Sequence, residues 1–276
     1  MKTIPSLLRS AALFAAAACS IGSVLAAASP AGAVEPAFKV ATFNLGDGPL
    51  RDKVDDVVDL AGKGATVIGL QEASDRDDLL VELRKRSGMA SWRWCRVADD
   101  GGPAVPILYD SAVWELETPC GGFLAVESRY LGPAGAGPDE SKPKFVTAFV
   151  LHHRSSGRNV RVLNTHFIPS ARNSSLPSGE LRRRIAHVRD HVAALLDRIG
   201  DGTRHPMPVV LTGDLNGPGS WPLLDPLKGI DLTGWSTDPT HGGETLDHVV
   251  QRNLDQEGQA YVSTSSDHRA VVKTLR

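Results

Sequence analysis

The sequence has no excess of positive charge. Its 30 lysine and arginine residues face 32 acidic residues, which gives a formal net charge of −2. Proteins that hold DNA through its phosphates alone are usually basic, because each contacted phosphate needs a neutralising cation. Contact with a nucleic acid would therefore have to be local or bridged by a metal ion. The sequence also contains no internal repeat, so a repeat architecture is not expected.

Long apolar runs are confined to the start of the chain. Lys2 and Arg9 precede residues 11–28, which are almost entirely small and apolar, and Ala31-Gly32-Ala33 supplies a cleavage site of the A-x-A type. This order of features is typical of a secretory signal peptide. A retained membrane anchor is the alternative for this segment. No later segment is long and apolar enough to span a bilayer.

The expected domain organisation follows from this cleavage. We expect residues 1–33 to be removed as the signal peptide and residues 34–276 to form one secreted domain with no membrane anchor. Cleavage would remove Lys2 and Arg9 but no acidic residue, which leaves the mature chain with a net charge of −4. We expect the mature protein to be a monomer.

Cysteine is scarce, with 3 residues in the whole chain. One of them, Cys19, lies in the predicted signal peptide, so Cys95 and Cys120 remain. Two cysteines in an exported protein suggest one disulfide bond, because the extracellular environment is oxidising. Two buried free thiols are the alternative.

Hydrophobic periodicity predicts a mixture of short strands and amphipathic helices. Strands are predicted near residues 38–43, 66–70, 92–97, 105–109, 112–116, 145–152, 159–164, 209–212, 246–250 and 270–274, and helices near 54–61, 75–86 and 178–199. The Gly- and Pro-rich residues 132–143 are predicted to form a loop. Hairpins and helices mixed in this way suggest two packed sheets with helices outside, in one domain.

The longest predicted helix has a clear apolar stripe. Ser178 is the expected N-cap, and Gly200 is expected to end the helix. The run Arg182-Arg183-Arg184 is interpreted as a solvated face, since a charge run near a helix start usually faces water. The predicted core stripe consists of Leu181, Ile185, Val188, Val192, Leu195 and Ile199.

Residues 208–216 read Pro-Val-Val-Leu-Thr-Gly-Asp-Leu-Asn, a buried strand that runs into a polar cluster. Asp214 and Asn216 are two residues apart, so in an extended chain both side chains would point to the same side. A carboxylate and a carboxamide placed together at a strand tip can hold a water molecule and a phosphate oxygen.

Five more segments carry polar side chains at or near a predicted strand end. Together the six segments contribute Asn44, Glu72, Asn164, His166, Asp214, Asn216, Asp247, Asp267 and His268. If these ends meet, they form an oxygen-rich site that suits Mg²⁺, Mn²⁺ or Ca²⁺. Zinc fits less well, because it usually takes more histidine or cysteine ligands.

This ordered set of motifs resembles the endonuclease/exonuclease/phosphatase superfamily, the DNase I-like metal-dependent phosphoesterases. The motifs are Thr42-Phe43-Asn44, Gln71-Glu72, Asn164-Thr165-His166, Gly213-Asp214-Leu215-Asn216, Leu246-Asp247 and Ser266-Asp267-His268. Each motif is weak alone, and their order along the whole mature chain carries the resemblance. It implies an α+β fold, a four-layer α/β/β/α sandwich of two packed mixed sheets with outer helices.

The resemblance also implies a metal site. Glu72 resembles the principal metal-binding carboxylate, with Asn44 beside it, and Asp267 resembles a second acid of the metal site. The expected cofactor is Mg²⁺, with Mn²⁺ or Ca²⁺ as substitutes.

The remaining motif residues resemble the family's catalytic groups. Asp214 resembles the residue that orients or deprotonates the attacking water. Asn216 and His166 resemble contacts to phosphate oxygens. Asp247 and His268 resemble the paired acid and histidine, and His268 also faces the phosphate. Whether His268 or Asp214 takes the proton is open at this point.

Some positions have no matching role. Many family members carry a further Tyr or His that contacts phosphate from the middle of the chain, and no residue here is assigned to it, since Tyr109 lies in a strand-like segment. The other histidines are interpreted as structural; these are His152, His153, His187, His191, His205, His241 and His248.

The substrate class has three candidate answers. A nucleic acid is the first expectation, which would make the protein an exported endonuclease or exonuclease. A phosphodiesterase or phosphatase that acts on a lipid headgroup, a sugar or an inositol phosphate is the second. A binding module of the same fold with an inactive site is the third, and the intact motif set argues against it.

Overall fold

The computed structural model describes residues 35–73, 77–95, 105–134, 137–200 and 206–276. The predicted signal peptide, residues 1–33, lies outside these ranges. The described helices are α1 (Leu50–Gly62), α2 (Asp77–Arg84), α3 (Ser178–Ile199) and the short α4 (Asp225–Lys228). None of them combines the length and the apolar character needed to cross a bilayer.

The first sheet has six strands in the order β13-β14-β1-β2-β4-β3. Strands β1 and β2 are parallel, and β14 runs antiparallel to β1. The bounds are β1 (Phe38–Asn44), β2 (Ala65–Gln71), β3 (Trp92–Cys95), β4 (Ile107–Asp110), β13 (Gln256–Val262) and β14 (Ala270–Leu275).

The second sheet also has six strands, in the order β12-β11-β10-β9-β5, with β6 paired to β9 as well. Strands β10 and β11 are parallel, and β12 is antiparallel to β11. The bounds are β5 (Trp114–Leu116), β6 (Gly121–Val126), β9 (Lys144–His153), β10 (Asn159–His166), β11 (Val209–Asp214) and β12 (Asp247–Arg252). Strands β9 and β10 form an antiparallel hairpin.

Three hydrophobic layers hold these elements together. The helices α1 and α2 pack on the outer face of the first sheet through residues such as Val57 and Leu79. Side chains of both sheets, among them Val40 and Val210, interdigitate between the sheets. Helix α3 covers the outer face of the second sheet through Val188, with the other residues of that cluster. The predicted four-layer α/β/β/α sandwich is confirmed.

Residues 132–143 do not form the predicted loop. They belong largely to the two-stranded sheet of β7 (Arg129–Ala134) and β8 (Gly137–Ser141), and β6 just before it was not predicted either. Glycine and proline lower β propensity, so the composition of this region concealed its strands. The edge strand β13 was missed because none of its residues is fully buried and its sequence has no apolar alternation.

Helix α3 differs from the prediction in which residues it buries. Ser178 is its first residue and makes no side-chain cap, while Gly200 does end it, with φ of 71°. Leu181 and Ile185 are only half-buried, and Arg184 is buried rather than solvated. The buried polar residues of this helix are Glu180, Arg184, His187 and His191. The N-terminal half of the helix therefore packs through a polar stripe and the C-terminal half through an apolar one.

Cys95 and Cys120 form a disulfide bond, with their Cα atoms 5.3 Å apart. The bond ties the end of β3, at the edge of the first sheet, to the segment that leads into β6 of the second sheet. It therefore cross-links the two sheets covalently.

Candidate active site

The strand directions bring the polar strand ends to one edge. The carboxyl ends of the parallel strands β1 and β2 lie beside the amino end of β14. In the second sheet, the carboxyl ends of β10 and β11 lie beside the amino end of β12. Hydrogen bonds from Asn44 to Asp214 and between His268 and Asp247 join these two edges. The residues of the six predicted segments therefore meet at one end of the sandwich.

A buried polar network fixes the two sheets beneath this edge. Gln71 Nε2 donates to Asn164 Oδ1 at 2.6 Å, and Asn164 Nδ2 donates to the carbonyl oxygen of Leu70, also at 2.6 Å. The sheets approach so closely that a Cβ atom at Gly69 would lie 2.0 Å from Thr212 Oγ1. Asn164 is thus a structural bridge below the site.

Asn44 connects two carboxylates of the site. Its Nδ2 donates to Glu72 Oε1 at 3.1 Å and to Asp214 Oδ2 at 3.0 Å, and its Oδ1 accepts the backbone N–H of Gly46 at 3.0 Å. Asn44 is fully buried, whereas Glu72 is exposed. The amide that was expected to ligate a metal ion is therefore engaged in holding Glu72 and Asp214.

Asp214 and Asn216 do not share an extended strand, so that expectation was wrong. Strand β11 ends at Asp214, and Asn216 has a left-handed backbone with φ of 51°. Asp214 Oδ1 instead accepts the backbone N–H of Asn216 at 2.9 Å, while Asn216 Nδ2 donates to the carbonyl oxygen of Phe167 at 3.0 Å. Asp-Leu-Asn is a local turn in which the carboxylate caps the chain reversal.

Glu72 also has a left-handed backbone, with φ of 56°. This conformation is unfavourable for a residue with a Cβ atom, and such strain concentrates at functional sites. With this backbone conformation the chain turns away from the direction of β2, and the Glu72 carboxylate accepts a hydrogen bond from Asn44.

His268 and Asp247 form the expected pair. His268 Nδ1 lies 2.8 Å from Asp247 Oδ2, and both side chains are buried. Burial acts to lower the pKa of His268, but the hydrogen bond to Asp247 and the charges of Asp247 and Asp214 outweigh it and raise this pKa to about 9. The imidazole is therefore positively charged at neutral pH.

Asp214 lies between two histidines. Its Oδ2 is 3.5 Å from His166 Nε2 and 4.0 Å from His268 Nε2. Burial, together with the Asp247 carboxylate, raises the pKa of Asp214 to about 7, against the opposing effect of His268. The pKa of His166 is well below its usual value, chiefly because the ring is buried and then because of nearby cationic groups.

Two groups of three acidic or histidine side chains bring ligand atoms within 4.8 Å of one another among the described residues. One consists of Asp214, Asp247 and His268, and the other of His241, Asp267 and His268. Glu72 is in neither group and reaches the site through Asn44. The carboxylates of these groups can hold a divalent cation, and an imidazole can join them only in its neutral form.

His241 was interpreted as structural, but it belongs to the site. Its ring stacks on that of His268 with the centroids 4.4 Å apart, and its Nδ1 lies 3.4 Å from Asp267 Oδ2. It comes from the loop before β12, and no sequence motif surrounds it. Only the tertiary contact reveals its position.

Comparison with known proteins gives the family. The sequence profile described as "Endonuclease/Exonuclease/phosphatase family" matches residues 41–268. The chain belongs to this family. This match confirms the predicted family, whose members are phosphoesterase hydrolases. No curated protein sequence matches the chain significantly.

Solved structures share the fold. A family protein from Bacteroides thetaiotaomicron has a TM-score of 0.64 and 16% identity, over 87% of this chain and 97% of that one. A mannosyl-6-phosphatase from the same organism has a TM-score of 0.62 and 15% identity, over 87% and 99%. TDP2 of D. rerio, complexed with a single-strand DNA product, has a TM-score of 0.61 and 14% identity, over 88% and 100%.

Lys144 is a second residue that the sequence did not reveal. The pairing of Val146 with Thr165 places it, at the start of β9, at the same edge as His166. Burial lowers the pKa of Lys144, and the charges of Asp214 and Glu72 oppose that shift. Its ammonium group therefore lies within the electric field of the site's carboxylates.

Two residues considered earlier are structural. His248 Nε2 lies 2.9 Å from the carbonyl oxygen of Gly217, and its Nδ1 accepts the backbone N–H of Ser236. Tyr109 is buried between the sheets, with its ring centroid 5.9 Å from that of Phe149. Neither side chain therefore supplies the family's mid-chain phosphate contact.

Proposed function

We propose that this chain hydrolyses phosphoesters with the help of a divalent metal ion. The observation that carries the proposal is the hydrogen-bonded network at one edge of the sandwich. In it, Asn44 bridges Glu72 and Asp214, while Asp247 holds His268 beside the same Asp214 carboxylate. Hydrolysis of a phosphoester needs an oriented water molecule and positive charge around the phosphate oxygens. The network supplies groups for both tasks.

Asp214 is the proposed group that orients water and accepts its proton. A general base works best when its pKa lies near the working pH, and burial raises the pKa of Asp214 to about 7. The water oxygen bonds to phosphorus, its proton passes to Asp214, and the bond from phosphorus to the leaving oxygen breaks. This assignment favours Asp214 over His268, whose pKa of about 9 keeps it protonated.

His268 and Lys144 are the proposed cationic contacts of the phosphate. Asp247 fixes the orientation of His268 and stabilises its charge. A protonated imidazole cannot act as a base, but it can donate a hydrogen bond to a phosphoryl oxygen. The neutral His166 can serve as a further donor beside Asp214.

The residues of the edge fit a hard divalent cation. Glu72 and Asp267 are exposed carboxylates, and Asp247 Oδ1 is buried with no hydrogen-bond partner among the described residues. Glu72 and Asp267 would hold Mg²⁺ or Mn²⁺, with His241 next to Asp267 and with Asn44 as the group that positions Glu72. The ion would neutralise phosphate charge and lower the pKa of bound water.

The substrate class is part of the proposal. Nucleic acid was the first expectation, and TDP2 was solved with a DNA product. Sugar phosphates were an alternative expectation, and one structural neighbour is a mannosyl-6-phosphatase. Both are phosphoesters, so the proposed chemistry applies to either.

The test uses the purified chain with generic and natural esters. Bis(p-nitrophenyl) phosphate, p-nitrophenyl phosphate, plasmid DNA, RNA, sphingomyelin and inositol phosphates are each incubated with Mg²⁺, Mn²⁺ or EDTA. We expect hydrolysis that requires metal and falls by roughly 10³-fold or more in Asp214→Asn. Asp197→Asn, an exposed acid on α3, is the matched control. Hydrolysis that survives EDTA, or an unchanged rate in Asp214→Asn, would overturn the proposal.

Export is a separate proposal. The signal-like start of the chain and the disulfide between Cys95 and Cys120 both suit an oxidising compartment outside the cytoplasm. When the full chain is expressed in a bacterial host that secretes proteins, we expect to recover it from the medium or the periplasm with Val34 as its N-terminal residue. Recovery of the uncleaved chain in the cytoplasm alone would contradict this.

A further inference from the structure

A polar cavity of about 420 Å³ opens beside the site. Its walls come from the loop that follows β10, from Asn216 directly after β11 and from the loop that precedes β12. Two of its lining residues, Asn216 and His241, also belong to the site. Because His241 stacks on His268, a group bound in the cavity would lie next to the phosphate on which the site acts.

The lining of the cavity is chemically distinctive. Ser170, Asn173 and Asn216 supply hydroxyl and amide groups, and Arg172 forms an ion pair with Glu244 at 3.2 Å. The opposite charges of this pair leave the lining without a strong net charge. None of the described residues that line the cavity is a Phe, Tyr or Trp.

These properties select a kind of ligand. A nucleobase is usually recognised by stacking on an aromatic side chain, and the one aromatic ring among the described lining residues, that of His241, is already stacked on His268. A nucleic-acid backbone carries further phosphates, which would meet Glu244 as well as Arg172. Hydroxyl groups, in contrast, both donate and accept, so amides, a guanidinium and a carboxylate can all bind them. The volume lies at the lower end of small-molecule pockets, which span about 300–1,000 Å³, and suits one sugar ring.

The walls of the cavity are held in place. Ser170 and Asn216 both have left-handed backbones, with φ of 61° and 51°. The opposite wall is tied to the site, since His241 Nδ1 lies 3.2 Å from the carbonyl oxygen of Asp267 and the backbone N–H of Arg269 donates to Thr240. A fixed wall loses little entropy when a ligand binds.

Building on the proposed phosphoesterase function, we propose that this cavity binds the alcohol half of the substrate and that this half is a single hydroxyl-rich group, a sugar or a polyol. The phosphate faces Asp214 and His268, while the hydroxyl groups bind Arg172, Glu244 and Asn173. The protein therefore acts on sugar or polyol phosphates in preference to polymeric nucleic acid.

The experiment compares esters that differ in their alcohol. Glucose 6-phosphate, glycerol phosphate and inositol phosphate carry hydroxyls, whereas p-nitrophenyl phosphate does not; single-stranded DNA is the polymer. We expect the wild-type chain to give a higher kcat/KM on at least one hydroxylated ester than on DNA. Arg172→Ala should raise KM for that ester by roughly 10- to 100-fold, the usual effect of losing a charged hydrogen bond. Its KM for p-nitrophenyl phosphate should stay within about twofold.

Controls separate this inference from the proposed function. Arg182→Ala removes an exposed arginine of α3 that does not line the cavity, and it should leave both KM values unchanged. Glu244→Gln should also raise KM for the hydroxylated ester alone. If generic esters are cleaved with metal but Arg172→Ala changes both KM values equally or neither, or if DNA is the better substrate, the cavity inference is overturned and the phosphoesterase function stands. If no ester is cleaved with any metal, the proposed phosphoesterase function is wrong, and the cavity inference that rests on it is overturned as well.

Discussion

Asn44 Nδ2 donates to Asp214 Oδ2 across 3.0 Å, although the two residues are 170 positions apart and belong to different sheets. This contact joins the sheets at the edge where the site lies. Burial raises the pKa of Asp214, and the hydrogen bond from Asn44 opposes that rise because it stabilises the ionised carboxylate. The proton affinity of the proposed base therefore depends on a residue of the other sheet.

Replacement of Asn44 should move the pH dependence of hydrolysis. In Asn44→Ala the ionised form of Asp214 loses a donor, so we expect the acid limb of the kcat profile to shift upwards by roughly 1–2 pH units. The profile should be measured at saturating metal, so that weaker metal binding does not distort it. Asn159→Ala, at the opposite end of β10, is the control. Superimposable profiles for Asn44→Ala and the wild type would count against Asp214 as the base.

Two replacements of Glu72 should separate charge from backbone strain. Both Glu72→Gly and Glu72→Gln remove the carboxylate, so both should lose metal-dependent hydrolysis by roughly 100-fold or more. Glycine adopts a φ of 56° without steric cost, whereas glutamine does not. The free energy of unfolding, measured in urea, should therefore be about 1 kcal/mol higher for Glu72→Gly. Equal stability of the two variants would show that no strain is stored at this residue.

Removal of the Lys144 charge should weaken phosphate binding. We expect Lys144→Met to raise KM for a phosphoester by about tenfold, because a partly buried cation is lost beside the carboxylates. Lys142→Met removes an exposed lysine two residues away and is the control. NMR offers an independent measurement: burial lowers the pKa of His187 to about 4 with help from Lys144, so this pKa should rise in Lys144→Met. Kinetics identical to those of Lys142→Met would exclude the assigned role.

The buried His248 should make the fold sensitive to acid. Burial lowers its pKa from 6.5 to about 4, so between these values the unfolded chain binds a proton that the folded chain does not. The free energy of unfolding therefore falls as the pH falls, and this histidine alone should contribute a loss of about 2 kcal/mol between pH 7.5 and pH 5. Urea unfolding of His248→Gln should show a smaller loss over the same range. An unchanged pH dependence in this variant would mean that His248 titrates normally.

The sequence was most informative where a residue lies in a local motif. Asp214 and Asn216 stand out because an apolar strand runs directly into them, and the order of six such segments predicted both the sandwich and the shared edge. Their geometry was not predictable from alternation, because the strand stops at Asp214 and the chain turns.

Site residues that lie outside any motif could not be predicted from the sequence, for a physical reason. His241 and Lys144 reach the site only through tertiary contacts, and a lone histidine or lysine carries no local signal. Helix α3 was misjudged in a related way. Leu181 and Ile185 fit the apolar period, yet the neighbouring Glu180 and Arg184 are the buried residues, paired at 2.9 Å. Burial there is decided by the polar edge against which the helix packs.

The divided helix α3 sets a limit on engineering this protein. Its C-terminal half is an apolar support, whereas its N-terminal half buries the polar residues Glu180, Arg184, His187 and His191. A designer who optimised this helix by binary patterning would replace those four residues with leucine, and would expect a gain in thermostability. The same exchange would remove the hydrogen bond between His191 Nε2 and Thr165 Oγ1, next to His166. At His191, therefore, a gain in stability from this exchange would come with the loss of a contact beside the site.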